Sequence, residues 1–136
     1  MLKLPGSARE SVLAHARRDH PDECCGVMTG RDGRVERVVP LTNAERSPTG
    51  FTFDSGEWLR VNREMDDADE ELVVVYHSHT MTEAYPSRTD VLWSANIPGT
   101  HWLLVSTREP DVEELRSFTI DPDGTVSEEE VTLVDG

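Results

Sequence analysis

The sequence is short of cysteine, of long apolar stretches and of positive charge, and each shortage removes a class of protein. Its two cysteines, Cys24 and Cys25, are adjacent, too close for an ordinary disulfide framework, so both are expected as reduced thiols. The longest apolar run is Leu72–Tyr76, far below the roughly 20 residues that span a bilayer. The first residues also lack the apolar segment of a signal peptide, and these absences together predict a soluble, cytoplasmic protein. Basic residues number 13 against 27 acidic ones, a net charge of −14, which disfavours electrostatic binding to nucleic acid or to an anionic membrane. The deficit is uneven: residues 1–50 hold 8 basic and 7 acidic groups, and residues 51–136 hold 5 and 20. An anionic partner is therefore expected to approach through the N-terminal portion.

What is present suits one compact domain. At 136 residues the chain has the length of a single domain. Surface scaling gives about 22,000 Å² unfolded and about 7,000 Å² folded, enough burial for a core without staples. Ala8, Val12, Leu13 and Ala16 fall at helical spacing and predict an amphipathic helix over Ser7–Asp19, with Ser7 as candidate N-cap and Pro21 just beyond the end. Cys24–Thr29, closed by Gly30, and Arg34–Leu41 read as a hairpin across Arg31-Asp32-Gly33, where Asp-Gly is a turn signal. Asn43–Gly50 reads as a loop and Phe51–Phe53 as a short strand. Ser55 is the expected cap of a helix running to Ala68, with Trp58, Val61, Met65 and Ala68 on its apolar face. Leu72–His79 is apolar on both faces and predicts a central strand. A loop over Thr80–Pro86 leads to a short helix from Ser87 to about Asn96. Strands follow at His101–Thr107, Val112–Ile120 and near Val126–Val134. Three helices and six or seven strands in mixed order predict an α/β domain with a mixed sheet.

Chemistry concentrates at the end of the central strand. His77 and His79 are two residues apart, so a strand sends both imidazoles to one face, a chelating arrangement. The plain alternative is a pair of polar residues leaving the core. Asp90, which returns at the start of the next helix, can complete a His₂Asp set. Three protein ligands with an open fourth position are what catalytic zinc requires, whereas a structural site is closed by a fourth ligand. Asp90 could equally be a first-turn charge or half of a capping box with Ser87. An amide hydrolase also needs a group that moves a proton to the leaving nitrogen. Glu23 precedes the apolar run Cys24–Met28, where burial suits that task; the alternative is an exposed residue at a helix–strand junction. The Ser87 hydroxyl could cap the helix or donate to an oxyanion. A zinc deaminase is disfavoured, because neither His-x-Glu nor Cys-x-x-Cys occurs.

Together these residues resemble the JAMM (MPN-plus) metallopeptidase signature: a distant Glu, then His-[Ser/Thr]-His, seven residues, and Ser-x-x-Asp. The chain reads Glu23, His77-Ser78-His79, the seven residues Thr80–Pro86, and Ser87-Arg88-Thr89-Asp90. The resemblance covers about residues 7–134, so residues 1–136 are taken as a single JAMM/MPN-plus domain. It implies a cytidine-deaminase-like α/β fold with a mixed, curved sheet flanked by helices. It further implies one zinc ion per chain bound by His77, His79 and Asp90, with Glu23 as general acid/base and Ser87 as oxyanion donor.

The segments Ala14–Glu23, Thr42–Pro48, Tyr76–Thr80 and Thr82–Val91 are similar to a bacterial branch of this family. That branch releases cysteine from a cysteine-loaded, ubiquitin-like sulfur-carrier protein, a step in cysteine biosynthesis. The implied partner is such a carrier with a Gly-Gly tail, and the implied activity is hydrolysis of its C-terminal amide. The alternatives are a peptidase that processes another ubiquitin-like or sulfur-carrier precursor, and a non-catalytic MPN scaffold, which typically lacks a His or Asp ligand. Cys24 stands where the family pattern has a small residue and is expected to act as a small buried hydrophobe. Arg46 and Arg88, on loops of an acidic chain, are candidate substrate-binding residues, because a guanidinium can clamp a carboxylate. His15 and His20 are expected at the surface, Trp58, Trp93 and Trp102 in the core, and His101 has no assigned role.

Overall fold

The computed structural model describes all 136 residues. In chain order the elements are β1 (Leu2–Pro5), α1 (Gly6–Asp19), β2 (Cys25–Arg31), β3 (Arg34–Leu41), α2 (Ser55–Ala68), β4 (Glu71–His79), α3 (Arg88–Ser94), β5 (His101–Ser106), β6 (Glu114–Ile120), β7 (Val126–Glu129) and β8 (Val131–Val134). Six strands form one sheet in the order β3-β2-β4-β5-β6-β7. Only the β4–β5 pair in it is parallel, so the sheet is mixed, and α3 lies in the crossover that a parallel pair demands.

The two faces of β4 explain the layering. Val74 and Tyr76 join the cluster beneath α1, with Val12, Leu13 and Ala16. Val75 joins the opposite cluster, with Val61 and Met65 of α2 and Trp102 of β5. Strand β4 is thus buried on both sides, as its apolar composition requires. Its exit end carries His77 and His79 on the α2/α3 side. Total exposed surface is 7450 Å², close to the value expected from chain mass.

Several local expectations change. The eight strands include β1, which is short and pairs in parallel with β8 in a separate two-stranded sheet. The strand expected near Val126–Val134 is divided in two, β7 joining the main sheet and β8 joining β1. Phe51–Phe53 makes only an isolated bridge, Asn43 to Phe53. Helix α1 begins at Gly6 without a side-chain cap, so Ser7 is not its N-cap. The cap of α2 is Asp54, whose carboxylate accepts from the Glu57 N–H at 2.9 Å, and Ser55 is already helical. The β2–β3 hairpin turns on Asp32 and Gly33 at φ 54° and 74°, the left-handed pair that this two-residue connection needs.

Candidate active site

Strand alternation brings the histidines together. His77 and His79 are 1% and 7% exposed, with ring centroids 4.9 Å apart. Phe51 stacks on the His77 ring at 4.4 Å and fixes its plane. His79 is oriented differently: its Nδ1 lies 2.9 Å from the Glu83 carbonyl. A carbonyl only accepts, so Nδ1 carries the proton and Nε2 keeps its lone pair for a metal.

Asp90 enters from α3, held by a complete capping box. Its backbone N–H donates to Ser87 Oγ at 3.1 Å, and the Ser87 N–H donates to Asp90 Oδ2 at 2.8 Å. The capping-box reading of Asp90 is met, and the same cap aims the carboxylate at the histidines. Oδ2 lies 3.0 Å from His77 Nε2 and 3.6 Å from His79 Nε2. The three potential ligand atoms all fall within 4.8 Å of one another. Ligands about 2.0–2.2 Å from a tetrahedral zinc stand roughly 3.3 Å apart, and the two carboxylate-to-imidazole separations, 3.0 and 3.6 Å, are near that spacing.

Neither ring nitrogen of buried His77 completes a hydrogen bond. Orphaned buried polar atoms are costly, and a cation at Nε2, the nitrogen beside Asp90, would satisfy one of the two. Burial disfavours charge on this ring, yet the Asp90 and Glu23 carboxylates outweigh it and lift His77 to about 9. Burial likewise opposes ionisation of Asp90, but His77, then His79 and the Ser87 N–H, hold it well below the usual carboxylate range. The centre is built to surround positive charge.

Glu23 is 5% exposed, not the solvated junction residue of the alternative reading, and its Oε1 lies 3.4 Å from His77 Nδ1. Its backbone is tied down on both sides. Its N–H donates to the Ser47 carbonyl, and the next residue, Cys24, donates to Ser78 Oγ at 2.8 Å. Glu23, His77, His79, Ser87 and Asp90 line one cavity of about 420 Å³.

Sequence reasoning missed Asn43. Buried in the loop, it donates to the Glu23 and Gly50 carbonyls and accepts from the Glu45 and Thr52 N–H groups. All four of its hydrogen bonds are made, joining Glu23 to the cavity wall. An Asn inside a polar loop gives no such signal until the loop closes. Arg46 and Arg88 are both exposed. Arg46 borders a neighbouring depression that also includes Glu23, and Arg88 lies between two cavity-lining residues, Ser87 and Thr89. Neither guanidinium lines the metal cavity itself.

The other histidines lie elsewhere. His15 is 5% exposed, which corrects the surface expectation: its Nδ1 meets Tyr76 Oη at 2.7 Å and its Nε2 meets Asp19 at 3.1 Å. His20 contacts Thr107, and His101 contacts Glu129. Trp102 is buried, while Trp58 and Trp93 pack half-buried against the same cluster. Both cysteines are free and buried.

The geometry and motif converge with comparisons to known proteins. The prokaryotic homologs of the JAB domain match residues 5–121. The chain belongs to this family. A CysO-cysteine peptidase of Mycobacterium tuberculosis is 60% identical over 99% of this chain and 92% of that protein. A desampylase of Haloferax volcanii is 35% identical over 77% of this chain and 80% of that protein. A solution structure from Desulfitobacterium hafniense superposes with a TM-score of 0.84 at 38% identity, covering 100% of this chain and 94% of that one. Coverage by the mycobacterial peptidase and by the solution structure is nearly end to end, so the likeness is not confined to the motif residues.

Proposed function

We propose that this JAMM-family peptidase, acting as one domain over residues 1–136, hydrolyses the C-terminal amide of a cysteine-loaded, ubiquitin-like sulfur carrier with a Gly-Gly tail. The products are free cysteine and the regenerated carrier. The observation that carries the reading is the meeting, in one cavity, of two imidazole Nε2 atoms, the Asp90 carboxylate and the buried Glu23. The likeness to a CysO-cysteine peptidase supports the substrate. The two buried, free thiols suit a reducing compartment, and we place the reaction in the cytoplasm.

His77, His79 and Asp90 would hold one zinc ion. When bound, zinc supplies a Lewis acid for the amide carbonyl and makes water nucleophilic near neutral pH. Glu23 takes a proton from the attacking water and delivers it to the leaving nitrogen as the C–N bond breaks. Ser87 Oγ accepts from the Asp90 N–H, which leaves its own proton free to donate to the oxyanion that develops on the attacked carbonyl. A two-glycine tail has no side chains and is thin enough to lie extended, held by backbone hydrogen bonds, with its amide carbonyl presented to the site. Arg46 or Arg88 pairs with the α-carboxylate of the terminal cysteine.

The test is mass spectrometry of three substrates side by side: a carrier ending Gly-Gly-Cys, the same carrier with an amidated cysteine, and lysine-linked diubiquitin. The expected result is loss of one cysteine residue from the first, slower cleavage of the second and an intact third. Equal cleavage of the free and amidated forms removes the arginine clamp. An unchanged carrier beside cleaved diubiquitin overturns the substrate.

A further inference from the structure

We propose that Glu114 is a positioning residue for the metal centre, acting on His79 through the Glu83–Ala84 peptide group. The proposal rests on the reading of His77, His79 and Asp90 as metal ligands.

The connection is one peptide unit held at both ends. Its carbonyl, on Glu83, accepts from His79 Nδ1 at 2.9 Å. Its N–H, on Ala84, donates to Glu114 Oε2 at 2.7 Å. The carboxylate is fixed in turn, because Arg108 Nε donates to Oε1 at 2.9 Å. Ala84 is fully buried, so the N–H has no water to compete for it. The chain of contacts therefore runs from carboxylate to peptide to imidazole, with Nε2 at the far end facing the ligand set.

Metal-binding histidines commonly donate their second N–H to a carboxylate or a carbonyl, which fixes the tautomer and raises basicity. Here the two devices are joined in series. A charged acceptor on the N–H side strengthens the peptide's hydrogen bond, and hydrogen bonds in a chain polarise one another. Electron density is pushed onto the Glu83 oxygen and from there onto His79, whose Nε2 becomes a better donor to a cation. Position follows as well. The Thr82 carbonyl accepts from Ser106 Oγ at 2.6 Å, and Tyr85 packs edge-on against Phe118 at 5.2 Å. The peptide is thus clamped on both sides, and removing Glu114 leaves its N–H buried and unpaired, free to rotate the carbonyl away from His79.

Glu113, the neighbouring carboxylate, supplies the control. It pairs with Arg9 and Arg17 at the surface and makes no contact with the loop. Zinc affinity is measured by chelator competition on purified wild type, Glu114→Gln, Glu114→Ala and Glu113→Gln, with the His79 Nδ1–H resonance followed by NMR in the metal-free proteins. Outer partners of this kind are worth roughly 10- to 100-fold in metal affinity. The expected weakening is about 10-fold for Gln, which keeps an acceptor without the charge, and toward 100-fold for Ala. The His79 resonance should move upfield in both, and Glu113→Gln should match wild type. A role confined to folding would lower the melting temperature without moving that resonance. Should Glu114→Ala fail to fold, Glu114→Gln decides the matter. Wild-type affinity and an unmoved resonance in Glu114→Gln would overturn the relay alone. A wild-type protein without zinc affinity would overturn the metal reading and the relay with it.

Discussion

Asp90 closes a capping box and is the proposed third metal ligand, and the two roles would use the same carboxylate oxygen. Substituting Ser87 therefore disturbs two things. Ser87→Ala loses the cap, worth about 1 kcal/mol, and with it the proposed oxyanion donor, worth about 10²- to 10³-fold in rate. Calorimetry and turnover measured together should show a modest stability loss and a large rate loss. Ser87→Thr, which keeps the hydroxyl, should recover most of both, and turnover near wild type in Ser87→Ala would remove this residue from the chemistry. The thiols make a second residue-scale case. Burial pushes Cys24 up to about 12 and raises Cys25 as well, so neither offers a thiolate at neutral pH. A thiol reagent should label nothing in the folded protein and both residues after denaturation; fast labelling of the native state would contradict the burial. Among the site residues, spacing alone pointed to His77, His79 and Asp90, whose ligand geometry follows from strand and helix periodicity. Glu23 is marked locally only by the apolar run Cys24–Met28 that follows it, and the family pattern is what separates it firmly from the other carboxylates.

At the scale of elements, α1 is anchored to the sheet through a polar contact inside an apolar layer. His15 bonds to Tyr76 of β4 and is buried against it. The Tyr76 ring is accommodated because residue 26 on the neighbouring strand is Gly, and a side chain there would collide with it. Burial lowers the pKa of His15 below 6.5, with Asp19 opposing the shift only in part. The neutral ring is native, so the unfolded chain binds the extra proton. Stability is fully present above about pH 6.5 and is lost as pH falls from there through the lower folded value. Melting temperatures compared between about pH 7 and about pH 5 should fall less steeply in His15→Gln than in wild type. Equal slopes would show that His15 carries no such linkage. A surface role was expected for His15 because its helical neighbourhood is polar; the tyrosine that buries it lies 61 residues away, a distance that helical periodicity cannot register. The same holds for β1 and β8, four residues each and meaningful as strands only once they meet. Asn43 and Glu114 escaped for a related reason, since the atoms through which they reach the site are backbone groups, which every sequence supplies alike. Gly26→Ala should cost roughly 1–3 kcal/mol through overpacking, readable by urea denaturation; an unchanged midpoint would contradict the close packing of Tyr76.

On the scale of the molecule, the sheet divides two cores, and the active site opens where β4 leaves the second of them. The α1 layer holds the strand in place, and the α2/α3 side supplies Phe51, Ser87 and Asp90 around its end. The mixed α/β class was legible because long apolar runs, polar turns and amphipathic segments follow one another in order. The partition of β7 and β8 between two sheets was not, because a single residue between them, Glu130, carries the break. The central claim is that metal binding and proton transfer belong to different side chains of one site. It is tested most directly by measuring bound zinc and release of cysteine from a Gly-Gly-Cys carrier in wild type, His77→Ala and Glu23→Gln. Wild type should hold one zinc ion per chain and release cysteine, and His77→Ala should lose both. Glu23→Gln should keep its zinc and lose about 10²- to 10⁴-fold in rate. A His77→Ala protein with its full complement of zinc, or a Glu23→Gln protein that turns over like wild type, would contradict the account.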